Sequence, residues 1–189
     1  MDIFEYVAVL TSIIIGLALA HLLRGVARLI QHPDSAKLYW VHLTWVFYTL
    51  LTTVFWWWWE FRLGTVEVWT FQLYLFVVFY AVLFYLLSAL LFPDSLSGYA
   101  GFREYFYSRR RWFFGILLLA NVTDIADSWL KGAEYFASLG VEYVLAMAAQ
   151  VILCAVAILV RSPRFHSAFA VGLAIYQVSW ALRMYETVA

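Results

Sequence analysis

The chain predicts an all-α fold, a polytopic integral membrane bundle of six transmembrane helices, and three observations carry that prediction. Of its 189 residues, 66% are hydrophobic and 13% charged, with a mean hydropathy of +0.83; a soluble domain sits near ~45–50% and ~25%. The apolar residues fall in runs of about 20, the length a helix needs to cross a ~30 Å hydrocarbon core. The interruptions between runs gather the charges, prolines and several glycines. A β-barrel would show ~10-residue alternating segments, whereas these runs are twice that length and apolar on all sides, so helices satisfy the backbone in lipid.

Cut at those interruptions, the chain is one transmembrane domain over residues 1–189 with spans at 4–30, 39–61, 67–92, 112–131, 140–160 and 165–185. The first run follows an acidic start, Met1-Asp2-Ile3-Phe4-Glu5, and is too long for a cleaved signal segment, so it is expected to stay as its own insertion signal. The second begins after His32-Pro33-Asp34-Ser35 and ends in Trp56-Trp57-Trp58-Trp59-Glu60. The third follows Arg62-Leu63-Gly64 and stops at Pro93. Between the third and fourth lies the longest loop, in which Tyr99, Phe102 and Phe106 share one helical face. That spacing predicts a short interfacial cytoplasmic helix over 98–111, with Arg109, Arg110 and Arg111 directed to lipid headgroups. The fifth and sixth spans are separated by Arg161-Ser162-Pro163-Arg164.

Charge fixes orientation. An outside N-terminus leaves nine of the twelve Lys and Arg residues inside, with Arg62, Lys131 and Arg183 outside. Asp2, Glu5, Glu60, Glu67, Glu134, Glu142 and Glu186 lean outward. The positive-inside bias then gives N-out and C-out in a cell (inner or plasma) membrane. Zero formal net charge leaves no basic field for a nucleic acid. The single Cys154 rules out an internal disulfide, a CxxC pair and a thiolate metal cage. No phosphate loop, HExxH or GxSxG motif occurs, the last span has no Lys for a retinal Schiff base, and the chain is expected to be neither an enzyme nor a metal protein.

Polar groups at membrane depth are costly and default to functional candidates. The fourth span carries Asn121, Asp124 and Ser128 on one stripe, with Asp127 at its edge; Asp124 lies about 18 Å from Trp112, slightly past the midplane. A carboxyl group there keeps its proton or needs a cation beside it. Gln150 and Gln177 fall at similar depth, with Ser12, Thr49 and Thr52 nearby. This predicts a polar layer suited to a proton, a small cation or a small solute, in a channel or transporter. The competing use of the same residues is hydrogen bonding between helices.

Two further groupings stand out. His21, Arg24 and His42 form a polar cluster at the inner ends of spans one and two, where two histidines could ligate haem or bond locally. The run Trp56, Trp57, Trp58 and Trp59 with Glu60 reads as an interfacial belt, or as a platform for a flat lipophile such as a quinone, carotenoid or sterol. No cofactor is otherwise expected. Ser12, Gly16 and Ala20, and Ala168 with Gly172, make small-residue ridges for close helix packing. Besides membrane lipids, the expected partners are a second copy or a larger membrane complex, and a non-transporting subunit or scaffold is the alternative function.

Overall fold

The computed structural model describes residues 3–33, 37–66 and 68–185; Asp2, Glu67 and Glu186, counted above among the outward acids, lie outside the described residues. Among those described, the chain is all-helical with no strand: α1 (Ile3–Gln31), α2 (Trp40–Trp59), a 3-10 turn (Glu60–Thr65), α3 (Phe71–Leu91), α4 (Phe102–Leu130), α5 (Ala133–Ser138), α6 (Gly140–Leu159) and α7 (Pro163–Tyr185). Five helices, α1, α3, α4, α6 and α7, are long and apolar enough to cross a membrane. With 20 residues, α2 matches them in length, but its six tryptophans and four threonines lower its hydropathy. Outward faces are largely apolar between the helix ends, with Leu17, Leu145, Ile152, Ile175 and Leu182 all more than half exposed. A soluble surface rarely shows so much contiguous apolar area, and these helices are compatible with a membrane protein.

The helix starts follow local chemistry. Thr70 caps α3 by accepting from the Leu73 amide at 3.2 Å, satisfying one of the free donors of a first turn. Pro163 opens α7, where its fixed φ suits the first helical position and its missing N–H costs nothing. The start of α4 corrects an expectation. Residues 98–111 do not form a separate interfacial helix, because α4 begins at Phe102 and runs unbroken for 29 residues, ~43 Å. Nothing between Ser108 and Trp112 is a breaker, so the helix has no reason to stop. Its Phe102 and Phe106 are buried rather than laid on lipid. Gly101 precedes it at φ +148°, and a side chain there would meet the Lys37 carbonyl at 2.9 Å.

Packing places α2 and α4 at the centre. Helix α1 lies on α3, α4 lies between α3 and α6, and α2 touches both α3 and α7. Gly25 of α1 lets Phe92 approach: a Cβ there would fall 2.1 Å from its ring. The main core centres on Trp45, which is fully buried and meets Phe113, Phe114 and Phe169 edge-on at 5.2–5.4 Å between ring centroids. Such edge-to-face pairs suit the ring quadrupole and add to the area they bury. The two ends of the bundle differ in charge. Arg24, Arg28, Arg103, Arg161 and Arg164 are at the basic end, while Glu60, Lys131 and Glu142 mark the opposite end.

Candidate functional site

The polar stripe of α4 faces inward. Asn121 and Ser128 are buried and Asp124 is half-buried, since the rest of that helix offers aromatic and aliphatic faces to α3 and α6. Two phenols hold the Asp124 carboxyl group. Tyr80 of α3 donates to Oδ1 at 2.8 Å and Tyr143 of α6 donates to Oδ2 at 2.7 Å. The Tyr143 oxygen also lies 3.0 Å from Ser128 Oγ; having one proton, it gives that to Asp124 and accepts from the serine. Asn121 Nδ2 donates to Cys154 Sγ at 3.8 Å.

Tyr80, Asn121, Asp124, Ser128 and Tyr143 line a cavity of about 120 Å³ between α2, α3, α4, α6 and α7. From Leu117 to Lys131 its wall on α4 is ~20 Å long, so the space is narrow. Gln150 and Gln177 reach it from α6 and α7, and Tyr48 of α2 donates to Gln150 Oε1 at 3.4 Å. Thr49 Oγ1 and Trp56 Nε1 border it as buried polar atoms without a hydrogen-bond partner among the described residues. A mostly aromatic and aliphatic wall that carries a few open donors and acceptors suits water or a small polar ligand.

At the cavity's mouth lies a buried ionic cluster. The last turn of α4 carries Asp127 and then Lys131, whose amide closes on the Asp127 carbonyl at 3.1 Å. The 3-10 turn after α2 swings Glu60 inward to meet them. Lys131 Nζ is 2.5 Å from Asp127 Oδ2 and 2.7 Å from Glu60 Oε1, with all three side chains only 3–4% exposed. Burial, reinforced by the Asp127 charge, pushes Glu60 up to about 8. Burial alone would lower Lys131, but the Glu60 and Asp127 carboxylates outweigh it and hold the ammonium above the ordinary lysine range. Tyr135 of α5, raised by its own burial, carries the Arg62 guanidinium 4.7 Å over its ring.

Toward the basic end the cavity is closed. One turn below Tyr48 and Leu117 comes the layer of Trp45, Phe113, Phe114 and Phe169, with His166 stacked on Phe114 at 5.4 Å. Beyond it the polar side chains turn to main-chain carbonyls. His21 and His42 donate through Nε2 to Phe92 and Leu91 at 2.8 and 2.7 Å, His166 to Val160 at 2.9 Å, and Arg110 to Ile158 at 3.3 Å. These carbonyls lie at or just beyond the ends of α3 and α6, where helices lack intrahelical donors.

Several residues singled out in the sequence are thus brought together and others are not. Asp124, Asn121, Gln150 and Gln177 share the cavity; Asp127 turns away from it to Lys131. The four tryptophans divide. Trp56 and Trp59 border the cavity, whereas Trp57 and Trp58 wall a separate apolar groove of about 430 Å³ that also touches Phe4, Phe61 and Glu60. His21 and His42 adjoin through neighbouring carbonyls, while Arg24 is exposed. Of the arginine run, Arg109 donates to the Tyr99 hydroxyl at 3.1 Å, Arg111 is exposed, and Arg110 is 2% exposed. Lys131, Tyr80 and Tyr143 escaped the sequence reading. Asp127 and Lys131 at i, i+4 were a usable signal, as were phenols in apolar runs, each needing a partner for its O–H. No family model, curated protein or solved structure matches this chain.

Proposed function

We propose that the chain is a six-span membrane protein of the cell membrane, both termini outside, that binds a small cation or small polar solute beside Asp124 and carries it across. The observation that supports this reading best is the Asp124 carboxyl group itself: it borders the cavity, it is held by two phenols, and among the described residues no cation is bonded to it. The nearest ammonium, Lys131, is committed to Glu60 and Asp127. A carboxylate in an aromatic, amide-lined pocket without a fixed counter-charge attracts a positive ligand. Six spans follow if α2 crosses with its neighbours, its tryptophans lying at the headgroup level they prefer. The aromatic layer around Trp45 argues for a carrier that alternates its access rather than an open pore. The reading involves no cofactor and no catalytic group.

Ion flux through purified protein in liposomes, wild type beside Asp124→Asn across a pH gradient, tests it. Flux that disappears with the substitution supports the carrier. Equal flux in both, or none in either when both are folded and inserted, removes it. In that case the second reading gains: a membrane subunit that binds a neighbouring helix through Ser12, Gly16 and Ala20. This ridge faces outward on α1, and a side chain at Gly16 would meet nothing within 4 Å.

A further inference from the structure

The cluster at the mouth holds one positive charge too few. Glu60 and Asp127 bring two carboxylates and Lys131 one ammonium, all buried. Each carboxylate gives one oxygen to the ammonium, which leaves Glu60 Oε2 and Asp127 Oδ1 enclosed with no hydrogen-bond partner among the described residues. If all three groups were ionised, a net negative charge would sit in a site sealed from water, with Asp124 one turn away on the same helix. Buried charge persists only when it is compensated. Either a proton or a second cation could compensate it, and space decides between them. The orphan oxygens have no exposed surface, Asp127 lines neither the cavity nor the groove, Glu60 meets only the apolar groove beside Trp57 and Trp58, and no grouping of acidic, His or Cys side chains among the described residues has the form of a metal site. A proton needs no volume. Both carboxyl groups hold the same ammonium, Glu60 at 2.7 Å and Asp127 at 2.5 Å, so one proton on either of them makes the cluster neutral.

We propose that Glu60 and Asp127 bind one proton between them beside Lys131, and that this proton exchanges against a cation bound in the cavity at Asp124. The second half rests on the carrier reading; the first does not. With the proton present the cluster is neutral: one acid, one carboxylate, one ammonium. Without it the cluster is negative by one charge and sits at the cavity's edge, where Lys131 forms part of the wall. A cation entering the cavity therefore favours the deprotonated cluster, and by linkage the proton disfavours the cation to the same degree. The groups facing the cluster fit this accounting. Asp124 of α4 adds negative potential, Tyr80 of α3, Tyr135 of α5 and Tyr143 of α6 are neutral phenols, and Arg62 of the 3-10 turn is engaged on the Tyr135 ring. The elevated position of Glu60, about 8, lets the exchange run near neutral pH.

Infrared difference spectroscopy of the full chain in lipid nanodiscs tests the proposal. The expected result is a protonated-carboxyl band that fades with a midpoint near pH 8 and is absent in Glu60→Gln. It should also be lost across the same range in Asp127→Asn, where a single carboxylate opposite Lys131 has no excess charge and Glu60 stays ionised. This second variant covers the case in which Glu60→Gln fails to fold. Sodium or tetramethylammonium, used as probe cations, should lower the midpoint in wild type and leave it unmoved in Asp124→Asn. A band that persists in both cluster variants, or no protonated carboxyl between pH 6 and 8, overturns the proton site. A midpoint that titrates but ignores both probes overturns the exchange. Since flux tests Asp124 and the band tests Glu60, either result can fail with the other standing.

Discussion

The two halves of the bundle bury polar side chains to opposite ends. In the basic half, His21, His42, His166 and Arg110 each close on a main-chain carbonyl at or near a helix end. Those bonds complete the backbone and leave the carbonyl side of the account settled. In the other half, Asp124, Glu60, Asp127, Lys131 and Gln150 bond to other side chains. Among the described residues, buried polar atoms without a partner occur in both halves, at His42, Trp45, Arg110 and His166 in the basic one and at Thr49, Thr52, Trp56, Glu60, Arg62 and Asp127 in the other, but those of Thr49, Thr52 and Trp56 belong to residues that line the cavity. A side chain that caps a helix has a structural purpose fulfilled within the chain. A network of side chains that borders a cavity with open donors and acceptors has room for a ligand, and this is what supports placing the proposed site in that half.

Breaking the charge cluster gives the largest expected effect. Lys131→Met leaves two buried carboxylates without their cation and should destabilise the protein by ~3–5 kcal/mol in detergent unfolding, with partial recovery as the pH falls and the carboxylates take up protons. Trp45→Ala, in the opposite half, should cost a similar ~3–5 kcal/mol through the cavity it opens. Unlike Lys131→Met, it should also make liposomes leaky, because it pierces the layer that closes the cavity. His42→Ala removes a buried bond to the Leu91 carbonyl and a ring stacked 4.6 Å from Phe102. About 1–3 kcal/mol of stability should be lost, with flux per folded molecule unchanged; a loss of flux would erase the distinction between the halves.

Smaller and more informative is the pH dependence. Glu60 is held near 8 in the folded protein and sits at ~4.3 when unfolded, so the folded state carries the extra proton between those values. Its contribution to stability therefore declines as pH rises from about 4.3 through 8. Thermal unfolding midpoints should show that decline in wild type and a flatter profile in Glu60→Gln. Smallest of all is Glu142→Gln, which breaks a half-exposed pair with Arg183. No measurable change in stability is expected, since solvent screens such pairs.

Much of the helical framework was legible in the sequence because it depends on local composition. The runs at 4–30 and 140–160 became helices with ends within a residue of those positions, set by acidic starts, glycine and proline. The segment at 98–111 was misread because the rule applied to it treats three arginines as a stop, whereas a helix responds to breakers and finds none there. Arg110 could not be placed for a related reason. It shares a face with Phe106, Phe113 and Phe114, and the aromatic contacts of those rings draw the whole face inward. The stripe on α4 was legible through its spacing, and Gln150 and Gln177 through depth. The cluster was only half visible: Asp127 and Lys131 are local, but Glu60 is 71 residues away from Lys131, and only the tertiary fold reveals that two carboxylates share one ammonium.

Accessibility of the cavity tests the central claim most directly. In a Cys154→Ala background, Gln177→Cys places a thiol on the cavity wall and Leu173→Cys places one beside the aromatic layer one turn below. Both are exposed in turn to a membrane-impermeant cationic thiol reagent. The account predicts rapid modification of the thiol at 177 from the Glu60 side, slower when Asp124→Asn removes the attraction for the cation, and no modification at 173 from that side. Equal reactivity at the two positions, or a rate at 177 indifferent to Asp124, would contradict it.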